Sequence, residues 1–152
     1  MNENLEIFGG IYFDRKNPFL EKLDILKVND EFIKELLIYA TQQKKEWAII
    51  ALLKHGASVD TILLGGSSLI NYASAAGMLD LLNYLLSNGF DVNHVDEDGA
   101  TPLYDALVEG NYLVAKALIR KGADVNFRSM GVTPAEYIER KGLKKIIDIE
   151  NE

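Results

Sequence analysis

Apolar residues recur in one-sided stripes along most of the chain. Leu79, Leu82, Leu85 and Leu86 fall on one face of a 3.6-residue helix, and Tyr112, Ala115, Leu118 and Ile119 repeat the stripe further on. Gly89 and Gly122 end the two stripes, and a polar loop follows each. Ahead of each stripe lies a shorter apolar segment of about two helical turns. Ser68, Thr101 and Thr133 precede these segments, where a side-chain oxygen can cap free N–H groups. Pro102 and Pro134 come next, at the first helical position, where the missing N–H costs nothing. Gly77, Gly110 and Gly142 break the short helices. The pattern predicts successive pairs of short antiparallel helices joined by glycine turns.

These pairs keep a register. Gly66-Ser67-Ser68-Leu69-Ile70-Asn71-Tyr72-Ala73, then Gly77, Leu85-Leu86, Gly89 and Asp91-Val92-Asn93, aligns with Gly99-Ala100-Thr101-Pro102-Leu103-Tyr104-Asp105-Ala106, Gly110, Leu118-Ile119, Gly122 and Asp124-Val125-Asn126. Each pair is about 33 positions apart. Backward, Ala40 matches Ala73, Leu52-Leu53 matches Leu85-Leu86, and Gly56 matches Gly89. Forward, the register runs with one deletion through Gly131-Val132-Thr133-Pro134-Ala135 to Gly142.

These residues resemble ankyrin repeats, whose unit is a turn and two antiparallel helices. The resemblance implies an all-α solenoid of three to four helix-turn-helix units over 30–62, 63–95, 96–127 and a C-terminal cap at 128–152. It is fullest at 99–126, although Tyr104 stands where the family usually has His. Ser68-Leu69 replaces Thr-Pro in the preceding unit, and Lys44 occupies the inter-helix glycine position of the one before. Terminal units need water-facing outer surfaces, which suits Lys141, Lys144 and Lys145. Asn93 and Asn126 occupy the position that asparagine hydroxylases modify in the family, in hosts that have such an enzyme.

Residues 1–29 lie outside the register and form an N-terminal extension. Pro18 is placed to open a helix through Phe19–Leu26 that seals the first repeat. The apolar, glycine-broken Ile7–Phe13 segment is expected to pack against the first helices, with a partner-binding arm as the rival reading.

Composition narrows the chemistry. The chain has 152 residues, 48% hydrophobic and 26% charged, the balance of an ordinary soluble globular protein of one domain or a short array. Without cysteine there are no disulfides, thiolate metal sites or cysteine nucleophiles, and His55 and His94 are the whole histidine complement. The net charge of −7 argues against nucleic acid or anionic lipid as a partner of the whole chain. The acidic start and lack of a long apolar run give no secretory signal or membrane span, so a cytoplasmic monomer without cofactor is expected.

Three local patterns imitate chemical sites. His94 to Asp105 mimics a calcium loop, but His94 holds the first ligand position, Pro102 interrupts the loop, and Asp105 replaces the usual Glu. Leu64-Gly65-Gly66-Ser67-Ser68 could cradle an anion, yet no lysine follows at the P-loop position. His55 at a helix C-terminus suits the helix dipole. Carboxylate pairs such as Glu97 and Asp105 are expected to be solvated on repeat turns, so nothing tunes them for acid–base work and no enzyme is expected.

The ankyrin resemblance implies a binding groove formed by turn tips and the exposed faces of first helices. By register, its positions here are Gln43, Leu64, Ser67, Ala76, Asp96, Glu97, Asp98, Ala100, Tyr104, Val108, Glu109 and Met130. The stretch from His55 to Ala115 contains no Lys or Arg but holds Asp60, Asp80, Asp91, Asp96, Glu97, Asp98, Asp105 and Glu109. An acidic rim around small apolar residues suits a basic protein partner, such as a toxin or nuclease domain, by speeding encounter. Small stand-alone ankyrin chains also resemble the immunity proteins of bacterial toxin systems. The competing expectation is a scaffold subunit that uses its convex side, with Trp47 and Leu113 facing outward, and its N-terminal arm.

Overall fold

The computed structural model describes residues 3–25, 30–58 and 68–146. The chain divides into two compact units, Met1–Thr61 and Ile62–Glu152.

The first unit contains α1 (Glu3–Tyr12), α2 (Lys16–Ile25), α3 (Asp30–Gln42) and α4 (Glu46–Lys54). α1 packs on α2 and α3, α2 packs on α4, and α3 pairs with α4. Ile7, Ile11, Phe19, Leu36, Leu37, Ile49 and Leu52 are fully buried among them. Burying such side chains stabilises the fold by roughly 1.5–3 kcal/mol each before entropy is counted. The Ile7–Phe13 segment is thus not a glycine-broken stretch, because α1 runs through Gly9 and Gly10. At Gly10 the close approach of α2 explains the residue, since a Cβ there would sit 3.1 Å from the Phe19 Cβ. Phe8 meets Phe32 and Tyr39 edge-to-face, at 5.8 and 5.0 Å between ring centroids, and so ties α1 to α3. The segment packs on the first hairpin.

Trp47 departs from its expected outward placement. It is half-buried, its ring stands edge-to-face to Phe19 at 5.4 Å, and its indole N–H donates to Asp14 Oδ1. His55 caps α4, with its Nδ1 2.8 Å from the Ala51 carbonyl. Lys44, at the inter-helix glycine position, takes φ 52°. A left-handed conformation costs a residue with a Cβ roughly 1–2 kcal/mol. Lys44→Gly should therefore stabilise the first unit by about 0.5–1 kcal/mol, the gain being trimmed by glycine's greater unfolded-state entropy. Urea unfolding would show this as a higher midpoint at constant slope.

The second unit contains α5 (Leu69–Ala75), α6 (Leu79–Ser87), α7 (Pro102–Val108), α8 (Tyr112–Arg120), α9 (Pro134–Arg140) and a 3-10 turn at Lys144–Ile146. α5, α7 and α9 pack in one row and α6 against α8 in a second. Leu69, Ile70, Leu81, Leu82, Leu85, Leu103, Ala106, Leu107, Val114, Ala115, Leu118 and Ile138 fill the space between. α7 and α8 begin and end 33 residues after α5 and α6, the period that the sequence carries. The three capping hydroxyls sit as expected. Ser68, Thr101 and Thr133 accept from the N–H groups of Asn71, Tyr104 and Glu136. Glu136 returns a bond to the Thr133 N–H, closing a capping box, and that bond, followed by the Arg128 pair, holds its carboxyl below the usual range.

Candidate functional site

The acidic expectation centres on the turn before α7 and on that helix's far end. Asp96 Oδ1 accepts from the Asp98 N–H at 3.1 Å and the Ala100 N–H at 2.8 Å, while the Asp96 N–H donates to the Ala100 carbonyl at 3.0 Å. One oxygen of the Asp96 carboxylate is therefore engaged within its own turn.

The same turn corrects the position of Ala100. Its side chain is buried at 5% exposure, and its carbonyl also accepts from Asn71. It belongs to the seam between repeats and offers no surface to a partner. Glu97 and Asp98 remain exposed at the tip, Val108 and Glu109 are exposed at the end of α7, and Tyr104 and Ala76 are half-buried. Gln43 lies in the first unit, half-buried after α3. Leu64 and Ser67 lie outside the described residues.

Met130 caps the next tip. The single deletion in the register falls here, leaving a two-residue turn at Met130 and Gly131, bridged by Ser129 and Val132 with hydrogen bonds of 3.0 Å in both directions. Met130 and Gly131 take φ 51° and 82°, the pairing of a type I′ turn. An exposed apolar residue is thus held in a conformation that favours Asn or Gly. Ser129 anchors the turn, for its Oγ donates to the Gly99 carbonyl at 3.0 Å and accepts from the Thr101 N–H at 3.1 Å.

A polar cluster beneath the acidic surface escaped the sequence reading. Asn71, on α5, is buried at 1% exposure. Its Nδ2 donates to Asp105 Oδ2 at 2.8 Å and to the Ala100 carbonyl at 3.1 Å, while its Oδ1 accepts from Ser68 Oγ at 2.6 Å. Asp105 is not the solvated carboxylate expected of a repeat turn. Burial pushes its carboxyl up to about 6, helped by the negative charges of Asp96, Glu109 and Asp98 and opposed by the Asn71 hydrogen bond. One sequence signal was available: Asp105 takes the register position that Tyr72 and Tyr137 hold in the flanking repeats. The mutual influence of these four acids places the tip and the end of α7 in one electrostatic neighbourhood.

A family model of ankyrin repeats in three copies matches residues 37–129. The chain belongs to the ankyrin-repeat family. Ankyrin repeats are, in general, modules of protein–protein interaction. An ankyrin repeat protein of Acanthamoeba polyphaga mimivirus is 35% identical over 101 residues, 66% of this chain and 10% of that protein. An ankyrin repeat protein of Borreliella burgdorferi is 29% identical over 121 residues, 76% of this chain and 29% of its own length. A potassium channel of Arabidopsis thaliana is 40% identical over 76 residues, 49% of this chain and 9% of the channel. The chain spans under a third of each of these relatives. No helix among the described residues is long and apolar enough to cross a membrane.

The ankyrin seams are polar where helices end. Asn111 Nδ2 donates back to the Ser74 and Ala75 carbonyls at 3.1 and 2.7 Å, satisfying the end of α5 from the neighbouring repeat. Asn93 joins the loops, accepting from the Asp124 N–H at 2.7 Å and reaching the Gly122 carbonyl at 3.4 Å.

Proposed function

We propose that this ankyrin-repeat chain is a non-catalytic module that binds a basic protein through the acidic surface of its second unit, working as a monomer in the cytoplasm. The observation that carries the reading is the concentration of negative charge around α7. Glu97, Asp98 and Glu109 are exposed, Asp105 is raised in pKa by burial first and then by its acidic neighbours, and no Lys or Arg lies between His55 and Ala115. Val108 and Met130, at 44% and 57% exposure, supply apolar contacts beside those charges. In its sharper form the module is an immunity or inhibitor protein that covers a basic toxin or nuclease domain.

Complementary charge acts mainly on encounter. Replacing Glu97, Asp98 and Glu109 together by Lys should lower the association rate with the basic partner by at least about tenfold at low salt. Wild-type association should itself slow as salt rises. Stopped-flow measurements on a partner captured from the host would read both. A partner whose association ignores salt and the triple variant removes the proposal.

A scaffold role is the second reading. Leu113 is 78% exposed and Tyr112 42% exposed on α8. In the N-terminal segment α1 packs within the first unit, while Tyr12 and Phe13 stay exposed beside it.

A further inference from the structure

The first unit holds a cleft of about 350 Å3 between α1 and α2 that the acidic-surface reading leaves unused. This is the lower end of ligand-site volumes, large enough for one side chain and its neighbour. Gly9 and Gly10 of α1 line it together with Phe13 and Pro18. The two glycines differ in kind. Gly10 is required by the approach of Phe19, whereas a Cβ on Gly9 would meet nothing nearer than Phe13 Cδ2 at 4.0 Å. Glycine inside a helix is destabilising relative to alanine, and neither packing nor a positive φ asks for it at residue 9.

The charged lining is opposite in sign to the surface around α7. Lys22 pairs with Glu6, so those two charges offset each other. Arg15 holds its guanidinium over the Phe13 ring, 5.3 Å from the centroid, and leaves the cleft net positive in a protein of net charge −7. Phe13 itself is 64% exposed. An apolar recess with a cation at its edge matches an aliphatic side chain that has a carboxylate beside it.

We propose that this cleft binds an acidic segment of a partner polypeptide, seating an aliphatic side chain against Gly9, Phe13 and Pro18 and a neighbouring carboxylate on Arg15. It is a second docking point, opposite in sign to the surface around α7 and independent of it.

The test is a titration of the 15N-labelled full chain with acetyl-Glu-Leu-Glu-amide and, separately, acetyl-Lys-Leu-Lys-amide. The acidic peptide should produce saturable shifts at the Gly9 and Gly10 amides, and the basic one should not. The bulk field of the protein favours the basic peptide, so acidic preference at these two amides can arise only locally. Gly9→Leu fills the recess and should weaken acidic-peptide binding at least about tenfold. Its helix content by circular dichroism should be retained or increased. Arg15→Glu should weaken binding by a similar factor. No saturation by about 10 mM peptide overturns the proposal. So does binding unchanged in either variant, or concentration-dependent shifts of the same amides without peptide, which would mark a second copy as the occupant. Basic-peptide shifts at Glu97, Asp98 and Glu109 would report on the other surface alone.

Discussion

Gly77→Ala should lower the unfolding free energy of the second unit by about 2–3 kcal/mol, whereas Gly110→Ala should cost only about 1 kcal/mol. The two glycines hold the same place in successive ankyrin repeats and nearly the same backbone angle, φ 74° and 75°. Each would impose the left-handed penalty on an alanine. They differ in what the new methyl would meet. At Gly110 nothing lies within 4 Å, but at Gly77 a Cβ would sit 2.8 Å from Asn111 Oδ1. Asn111 would have to move, and its amide is what satisfies the Ser74 and Ala75 carbonyls. Urea denaturation of the two variants side by side isolates the second term. Equal losses would mean that Asn111 can shift without giving up its bonds.

The second large effect is Asn71→Ala, with an expected loss of about 2–3 kcal/mol at pH 7 and about half that near pH 4. The substitution strips the Ala100 carbonyl and the Asp105 carboxylate of one donor each. Asp105 sets the sign of the pH dependence. Its folded carboxyl is raised to about 6 from 3.8, so the folded chain holds the proton more tightly than the unfolded one. The contribution of Asp105 to stability is greatest below about pH 4, declines as pH rises toward about 6, and is level above. Losing the Asn71 donor raises that carboxyl further and deepens the decline. Asp105→Asn should abolish the difference between the two pH values, since an amide oxygen still accepts from Asn71 without carrying charge. Thermal midpoints of the wild type, both single variants and the double variant at pH 4 and pH 7 check the whole cycle. A loss from Asn71→Ala that does not change with pH would contradict it.

The helices were legible in the sequence because their punctuation is local. Hydroxyl, proline and glycine at fixed spacings set the ends of α5 to α8, and each signal acts within a few residues of the break it causes. The misread positions depend on distant chain. Gly9-Gly10 reads as a break until Phe19 arrives to pack on it. Asp105 reads as solvated until Asn71, 34 residues earlier, comes within 2.8 Å. Ala100 reads as a groove residue because register gives its place in the repeat but not that Asp96 folds the turn over it. Trp47 reads as outward until Asp14 and Phe19 enclose it. Of the surface around α7, sequence therefore supplies the charges, while burial and pairing separate the exposed acids from those engaged in turns and seams.

The amide that Asn111 extends to the end of α5 has an apolar successor. The equivalent place one repeat later is Leu143, so the end of α7 receives no matching side-chain donor from it. The two seams are consequently unequal where the first helices end, one fastened there by the Asn111 amide and the next held instead at its turn, by the Ser129 bonds to Gly99 and Thr101. When the second unit comes apart, α9 and the turn after it should peel away first, leaving the α5–α8 block as the last remnant to dissolve.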